Sequence, residues 1–255
     1  MNAAKNCAEV EGLRVSFNGS EVLHGITAKF PRRGITVLMG RSGSGKTTLL
    51  RSLNRLNECF DGYEGSGSAK LLINGEMTDI YGDGSPEPSQ IRRRAGMVFQ
   101  IPNPLPLSLK KNITLPLELT LGLGKREAAE RMERSLRRAG LWDEVKDRLN
   151  DAASSFSGGQ QQRMCLARTL ALEPDILLLD EPTASLDRRS AETIETLLQE
   201  LEKTIPIIMV SHSLAQAAKL AARFVIMSDG QITKTLTHEE LPENESPETF
   251  LEGLL

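Results

Sequence analysis

Gly40-Arg41-Ser42-Gly43-Ser44-Gly45-Lys46-Thr47 satisfies G-x-x-x-x-G-K-[ST] at every fixed position. It follows Ile35-Thr36-Val37-Leu38-Met39, an unbroken apolar run that reads as a strand buried on both faces. Leu49, Leu50, Leu53 and Leu56 then recur at helical spacing. Glycines let backbone N–H groups close around an anion without side-chain obstruction. The helix start adds unsatisfied donors and the positive end of its dipole. Lys46 would reach the β- and γ-phosphates of a nucleotide, and the Thr47 hydroxyl would ligate Mg²⁺.

The second half of the chain supplies strands to set beside that one. Ile176-Leu177-Leu178-Leu179 and the run from Ile205 to Val210 are apolar, and helical patterns over 160–172, 189–203 and 213–222 separate them. Strand pieces follow near Phe224–Met227 and Gln231–Thr235. Alternating helices and fully apolar strands predict a mostly parallel sheet covered on both faces. Earlier in the chain, Leu13–Phe17 and Glu21–Phe30 read as strands joined at Asn18-Gly19. Lys70–Ile73 reads as a strand bracketed by two loops, and Gly65-Ser66-Gly67 in the first of these reads as a flexible turn. Residues 101–150 change character: four prolines lead into a charged helix over Lys125–Arg138. Arg131, Arg134, Arg137 and Arg138 alternate there with Glu127, Glu130 and Glu133, the pattern of a solvated face.

Carboxylates stand where the phosphate chemistry needs them. Asp180 ends its apolar strand and would hold the magnesium; Glu181, one residue on, would polarise an attacking water. His212 follows another strand and could reach the same edge, where ligands bind in open α/β sheets. His24 and His238 lack that setting and read as surface residues. Three dispersed cysteines offer neither a disulfide framework nor a zinc set, and Cys165 reads as core packing. A net charge of -3 argues against a nucleic-acid partner. No apolar run approaches the ~20 residues that span a bilayer, and the opening MNAAKNCAEVEG lacks the apolar core of a leader.

Ser154-Ser155-Phe156-Ser157-Gly158-Gly159-Gln160-Gln161-Gln162-Arg163, added to these motifs, resembles the nucleotide-binding subunits of ATP-binding-cassette (ABC) transporters from about Val10 to Gln231. MVFQIPNPLPLSLKKNI, LWDEVKDRL and SGGQQQR resemble the ATPases of phosphate importers in particular. The resemblance implies an α/β P-loop NTPase with a RecA-like, mostly parallel core sheet, an N-terminal antiparallel β subdomain and a helical subdomain. One domain would cover 8–235, with β subdomain strands at 8–34 and 69–80. The ATP-binding core would take 35–60 and 160–235, the helical subdomain 101–159, and a C-terminal tail 236–255.

It further implies that Phe17 stacks on adenine and that Gly40, Arg41, Ser42, Gly43, Ser44, Gly45, Lys46, Thr47 and Thr48 bind nucleotide. Thr47, Gln100 and Asp180 would attend the metal. Glu181, His212 and Gln100 would be catalytic. Ser157, Gly158, Gly159 and Gln160 would serve the site of a second copy, with Asp187 in the dimer-contacting loop. The implied partners are a second ATPase subunit, two integral-membrane permease subunits and a separate solute-binding protein, with the chain peripheral on the cytoplasmic face of the membrane. An importer for another oxyanion or an amino acid, or a soluble non-transport ABC ATPase, stays open at this point.

Overall fold

The computed structural model describes residues 5–255; the first four residues of the stretch read for a leader lie outside it. An antiparallel sheet of four strands has the order β2-β1-β4-β5, formed by β1 (Asn6–Phe17), β2 (Ser20–Pro31), β4 (Tyr63–Ile73) and β5 (Glu76–Asp79). A six-stranded sheet has the order β10-β9-β3-β8-β7-β6, built from β3 (Ile35–Met39), β6 (Ala95–Val98), β7 (Ile176–Asp180), β8 (Ile207–Val210), β9 (Ala221–Ser228) and β10 (Gln231–Thr237). From β9 to β6 every pairing is parallel, and β10 joins the edge antiparallel.

The helices are α1 (Lys46–Ser52), α2 (Pro88–Arg94), α3 (Leu109–Leu121), α4 (Lys125–Arg138), α5 (Trp142–Val145), α6 (Gly158–Ala171), α7 (Arg188–Leu201), α8 (Leu214–Leu220) and α9 (Pro247–Glu252). Alternation along β3 explains its unbroken apolar sequence. Leu38 faces a core shared with Leu13, Leu23, Phe30 and Leu71 of the antiparallel sheet and with Leu49, Leu50 and Leu53. Ile35, Val37 and Met39 face the opposite core, closed by Leu166 and Leu170 of α6, Ile194 and Leu198 of α7, and Leu220 of α8. A third core joins Leu109, Ile113 and Leu117 of α3 to Met132 and Leu136 of α4 and to Met164 and Ala167 of α6.

Several sequence-based expectations need correcting. Residues 65–67 are strand, not a flexible turn, and β4 begins at Tyr63, ahead of the expected Ala69. Pairing supplies what composition withholds: Val15 lies opposite Gly65 and Arg14 opposite Ser66. Gly67, at φ 91°, meets the backbone of Gly12 so closely that a Cβ would stand 2.5 Å from the Gly12 carbonyl oxygen. The β1–β4 register shifts just there, between Glu11 and Arg14. Helix α3 runs through Pro116, where a proline-rich start alone was expected. Arg131 leaves the solvated face of α4 and pairs with Glu173 at 2.6 Å, whereas Arg126–Glu130 and Arg137–Glu133 are the exposed i,i+4 pairs expected there. The C-terminal tail is anchored: Leu251 of α9 is fully buried in the core beside α8.

Cys7 and Cys165 are buried, and burial pushes the Cys7 thiol up to about 12 and the Cys165 thiol upward, so both pack as apolar groups. His238 stacks on Phe224 with ring centroids 6.2 Å apart, and His24 pairs with Glu21 at 3.6 Å. No helix among the described residues is long and apolar enough to cross a membrane.

Candidate active site

The glycine loop fills the turn from β3 into α1. Gly40 has φ 150°, and a Cβ there would stand 2.1 Å from the Met227 carbonyl oxygen of β9. Main chain, not a movable side chain, blocks that position. Gly40→Ala is expected to destabilise the fold by about 3 kcal/mol or more through clash and strain together. A denaturant midpoint equal to that of the parent would refute the packing account.

Lys46, only 4% exposed, curls back over the loop, and its Nζ donates to the carbonyls of Gly40 and Arg41, each at 2.8 Å. Burial lowers its pKa; the charges of Glu181 and Asp180 oppose that shift. Thr47, the next residue on α1, donates from Oγ1 to Asp180 Oδ1 at 2.9 Å. Parallel pairing of β7 with β8 puts Asp180 level with Val210, and the Glu181 amide donates to the Val210 carbonyl at 3.2 Å. Glu181 and His212 therefore leave adjacent strand ends side by side.

The Glu181 carboxylate is held from two directions. His212 Nε2 lies 2.8 Å from its Oε1, and Gln100, just past β6, donates from Nε2 to its Oε2 at 3.2 Å. Glu181 itself has φ 47°, a conformation uncommon outside glycine. Such local strain persists where surrounding structure imposes it, and it clusters at functional sites. Ser42, Gly43, Gly45, Lys46, Thr47, Thr48, Glu181 and His212 line one open groove, with Val22 of β2 on its rim.

The structure thus gathers the phosphate-loop residues, Asp180, Glu181, His212 and Gln100. It places the others elsewhere. Phe17 is half-buried beside Phe60 and Tyr63, with ring centroids 6.3 and 6.0 Å away, outside the groove lining. Ser157 caps α6: its hydroxyl accepts from the Gln160 amide while the Gln160 side chain accepts from the Ser157 amide. Gln160 also donates to Glu144, which Arg163 holds at 2.7 Å and keeps below the usual carboxylate range. A Cβ on Gly159 would meet Ser190 Oγ at 2.6 Å, so the helix start lies against α7. Asp187 caps α7 through Ser190, and those hydrogen bonds lower its pKa. Among the described residues, no hydrogen bond joins Ser157–Gln160 to the phosphate loop. Phe156 is buried, with the Arg148 guanidinium 4.5 Å from its ring centre.

Sequence reading missed Arg51, whose Nη2 lies 3.8 Å from Asp180 Oδ2 and whose guanidinium covers Phe60. Its place one helical turn beyond Thr47 was the available signal.

A glycine loop feeding a helix beside an acidic strand end, at the C-terminal edge of a parallel sheet, defines a P-loop nucleotide-binding fold. A family profile described as ABC transporter matches residues 23–184, and the chain belongs to that family. Among its relatives, the phosphate import ATP-binding protein PstB of Shewanella denitrificans is 39% identical over 256 residues, covering 99% of this chain and 92% of that protein. The PstB of Pyrobaculum aerophilum is 42% identical, covering 95% and 96%. CbiO1 of Clostridium perfringens, part of an ABC transporter complex, superposes with a TM-score of 0.77 at 26% identity, over 93% of this chain and 90% of its own. A dimeric ATP-binding cassette in a post-hydrolysis state, bound to ADP and Pi, superposes with a TM-score of 0.73 at 28% identity, over 91% and 98%.

Proposed function

We propose that the chain is the ATP-hydrolysing subunit of an ABC import system for inorganic phosphate. The observation that carries the chemistry is Glu181, fixed by His212 and Gln100 at the mouth of the phosphate-loop groove. The family supports the nucleotide, and relatives named as phosphate import proteins support the solute.

The loop amides and the start of α1 receive the triphosphate, and Phe17 with its aromatic neighbours offers a face for the base. Lys46 exchanges the Gly40 and Arg41 carbonyls for β- and γ-phosphate oxygens, a short move for a side chain already over the loop. The donor set near Lys46 suits Mg²⁺: a hydroxyl and a carboxylate 2.9 Å apart are hard oxygen ligands. Thr47, Asp180 and Gln100 would hold it. Bound there, magnesium neutralises charge on the phosphate oxygens. Glu181 takes the proton of the attacking water as its oxygen bonds to the γ-phosphorus and the bond to the bridging oxygen breaks, leaving ADP and phosphate. His212 steadies the carboxylate and Gln100 faces the γ-phosphate.

Ser157 and the Gly158 and Gly159 amides open a helix and carry the means to bind an anion, and among the described residues they make no hydrogen bond to their own loop. They serve the nucleotide of a second copy, with Gln160 bracing the cap and Asp187 at the contact. Two permease subunits and a solute-binding protein complete the system, with the chain peripheral on the cytoplasmic face.

Uptake of radiolabelled phosphate tests the solute directly. Cells lacking this chain should lose high-affinity uptake, regaining it with the parent but not with Lys46→Ala. Loss of sulfate or amino-acid uptake in its place would overturn the phosphate assignment.

A further inference from the structure

One face of α6 grips the main chain on both sides of Gln100. Gln162 donates from Nε2 to the Phe99 carbonyl at 2.9 Å, and Thr169 Oγ1, whose one proton has a nearer acceptor in the Cys165 carbonyl at 3.1 Å, lies 3.4 Å from the Met97 carbonyl. Arg168 donates from Nη2 to the Asn103 carbonyl at 3.1 Å and to its Oδ1 at 2.9 Å. Positions 162, 168 and 169 fall on one side of a helix of 3.6 residues per turn. Ser185, between β7 and α7, donates from Oγ to the Gln100 carbonyl at 3.2 Å. The backbone is thus held before, at and after the residue whose side chain reaches Glu181.

Gln162 is the informative member. It is 1% exposed, and its Oε1 is buried with no hydrogen-bond partner. Leaving an amide acceptor unpaired in the interior costs about 1–3 kcal/mol, which an apolar side chain of similar length would avoid. Packing alone would favour leucine or methionine at this place. What the glutamine adds is one directed hydrogen bond to the peptide unit next to Gln100.

We propose that Gln162 is a positioning residue for Gln100. By fixing the Phe99 carbonyl it aims the Gln100 amide at Glu181 and at the γ-phosphate. The helix that does this is the one begun by Ser157–Gly159. The element offered to a partner's nucleotide therefore also sets the phosphate-facing glutamine of its own site. This assignment rests on the ATPase reading above.

Gln162→Met removes the donor and the orphaned acceptor together but leaves the Phe99 carbonyl without its partner; the two terms oppose, and the variant is expected to fold with a Tm within a few degrees of that of the parent. Titration of full-length parent and variant with MgADP and with a non-hydrolysable Mg-ATP analogue reads the effect. Affinity for the diphosphate should stay within about twofold, while affinity for the triphosphate analogue falls about tenfold, the size of one well-aligned hydrogen bond. Hydrolysis should slow in step with the second value. Gln162→Leu, of different shape but likewise without a donor, should show the same split. Equal loss for both nucleotides, or no loss for the triphosphate, would overturn the assignment. A parent protein that bound neither nucleotide would overturn the ATPase reading itself, and this one with it.

Discussion

Glu181→Gln should bind Mg-ATP about as tightly as the parent and hydrolyse it about 10²–10⁴-fold more slowly, the usual contribution of a positioned general base. The substitution keeps the shape of the side chain and an oxygen facing His212 Nε2, at 2.8 Å in the parent. It removes the group that takes the proton. With chemistry blocked and binding intact, the nucleotide-bound dimer should accumulate, seen as a doubling of mass by size exclusion when Mg-ATP is present. A variant hydrolysing at the parent rate would remove Glu181 from the mechanism and leave the loop groove without a base. Loss of binding and hydrolysis together would instead mark Glu181 as a structural residue, a real alternative given its φ of 47°.

Complementation between two inactive variants carries the other large effect. Lys46→Ala lacks the cation over the phosphate loop. Ser157→Arg fills the start of α6 and removes its cap, for about 1 kcal/mol in the fold itself. Each alone should be inactive. In a heterodimer, the loop of the Ser157→Arg copy meets the intact Ser157 of the Lys46→Ala copy, giving one complete site beside one doubly defective site. Random pairing of equal amounts, with independent sites, restores up to about a quarter of the parent rate. No recovery at any mixing ratio would mean that Ser157 serves its own chain or no nucleotide, and sites shared between copies would be abandoned.

The contrast between these experiments reflects what each part of the sequence could disclose. Lys46, Thr47, Asp180 and Glu181 announce themselves because local chemistry dictates their neighbours. A phosphate loop needs glycines at fixed intervals, and a strand delivering a carboxylate to a sheet edge must be apolar up to its last residue. His212 was legible only conditionally, through a strand whose neighbour in the sheet had to be β7. Arg51 went unseen although it lies one turn along the helix from Thr47, because an arginine in a helix carries no message until Asp180 is placed 3.8 Å from it.

Elsewhere local preference was overruled. Pro116 argues against a helix, but Ile113 and Leu117 bury themselves against α4 and α6, and that packing outweighs one lost hydrogen bond. Gly65-Ser66-Gly67 has little strand preference of its own, yet β1 offers a partner for every residue on that edge apart from the bulge at Gly67. The chain after 235 carries few apolar residues, too few to suggest that Leu251 closes a core.

By itself, then, the sequence determined the class of fold, the loop, the two strand-end carboxylates and the helix start at Ser157. These depend on spacings of a few residues, within which covalent geometry leaves little choice. Only the tertiary structure decided that the helix start at Gly159 packs against Ser190 of α7, and that the third glutamine of SGGQQQR turns inward to hold Phe99. Both facts join residues far apart in the chain, and packing sets such distances where spacing along the chain does not.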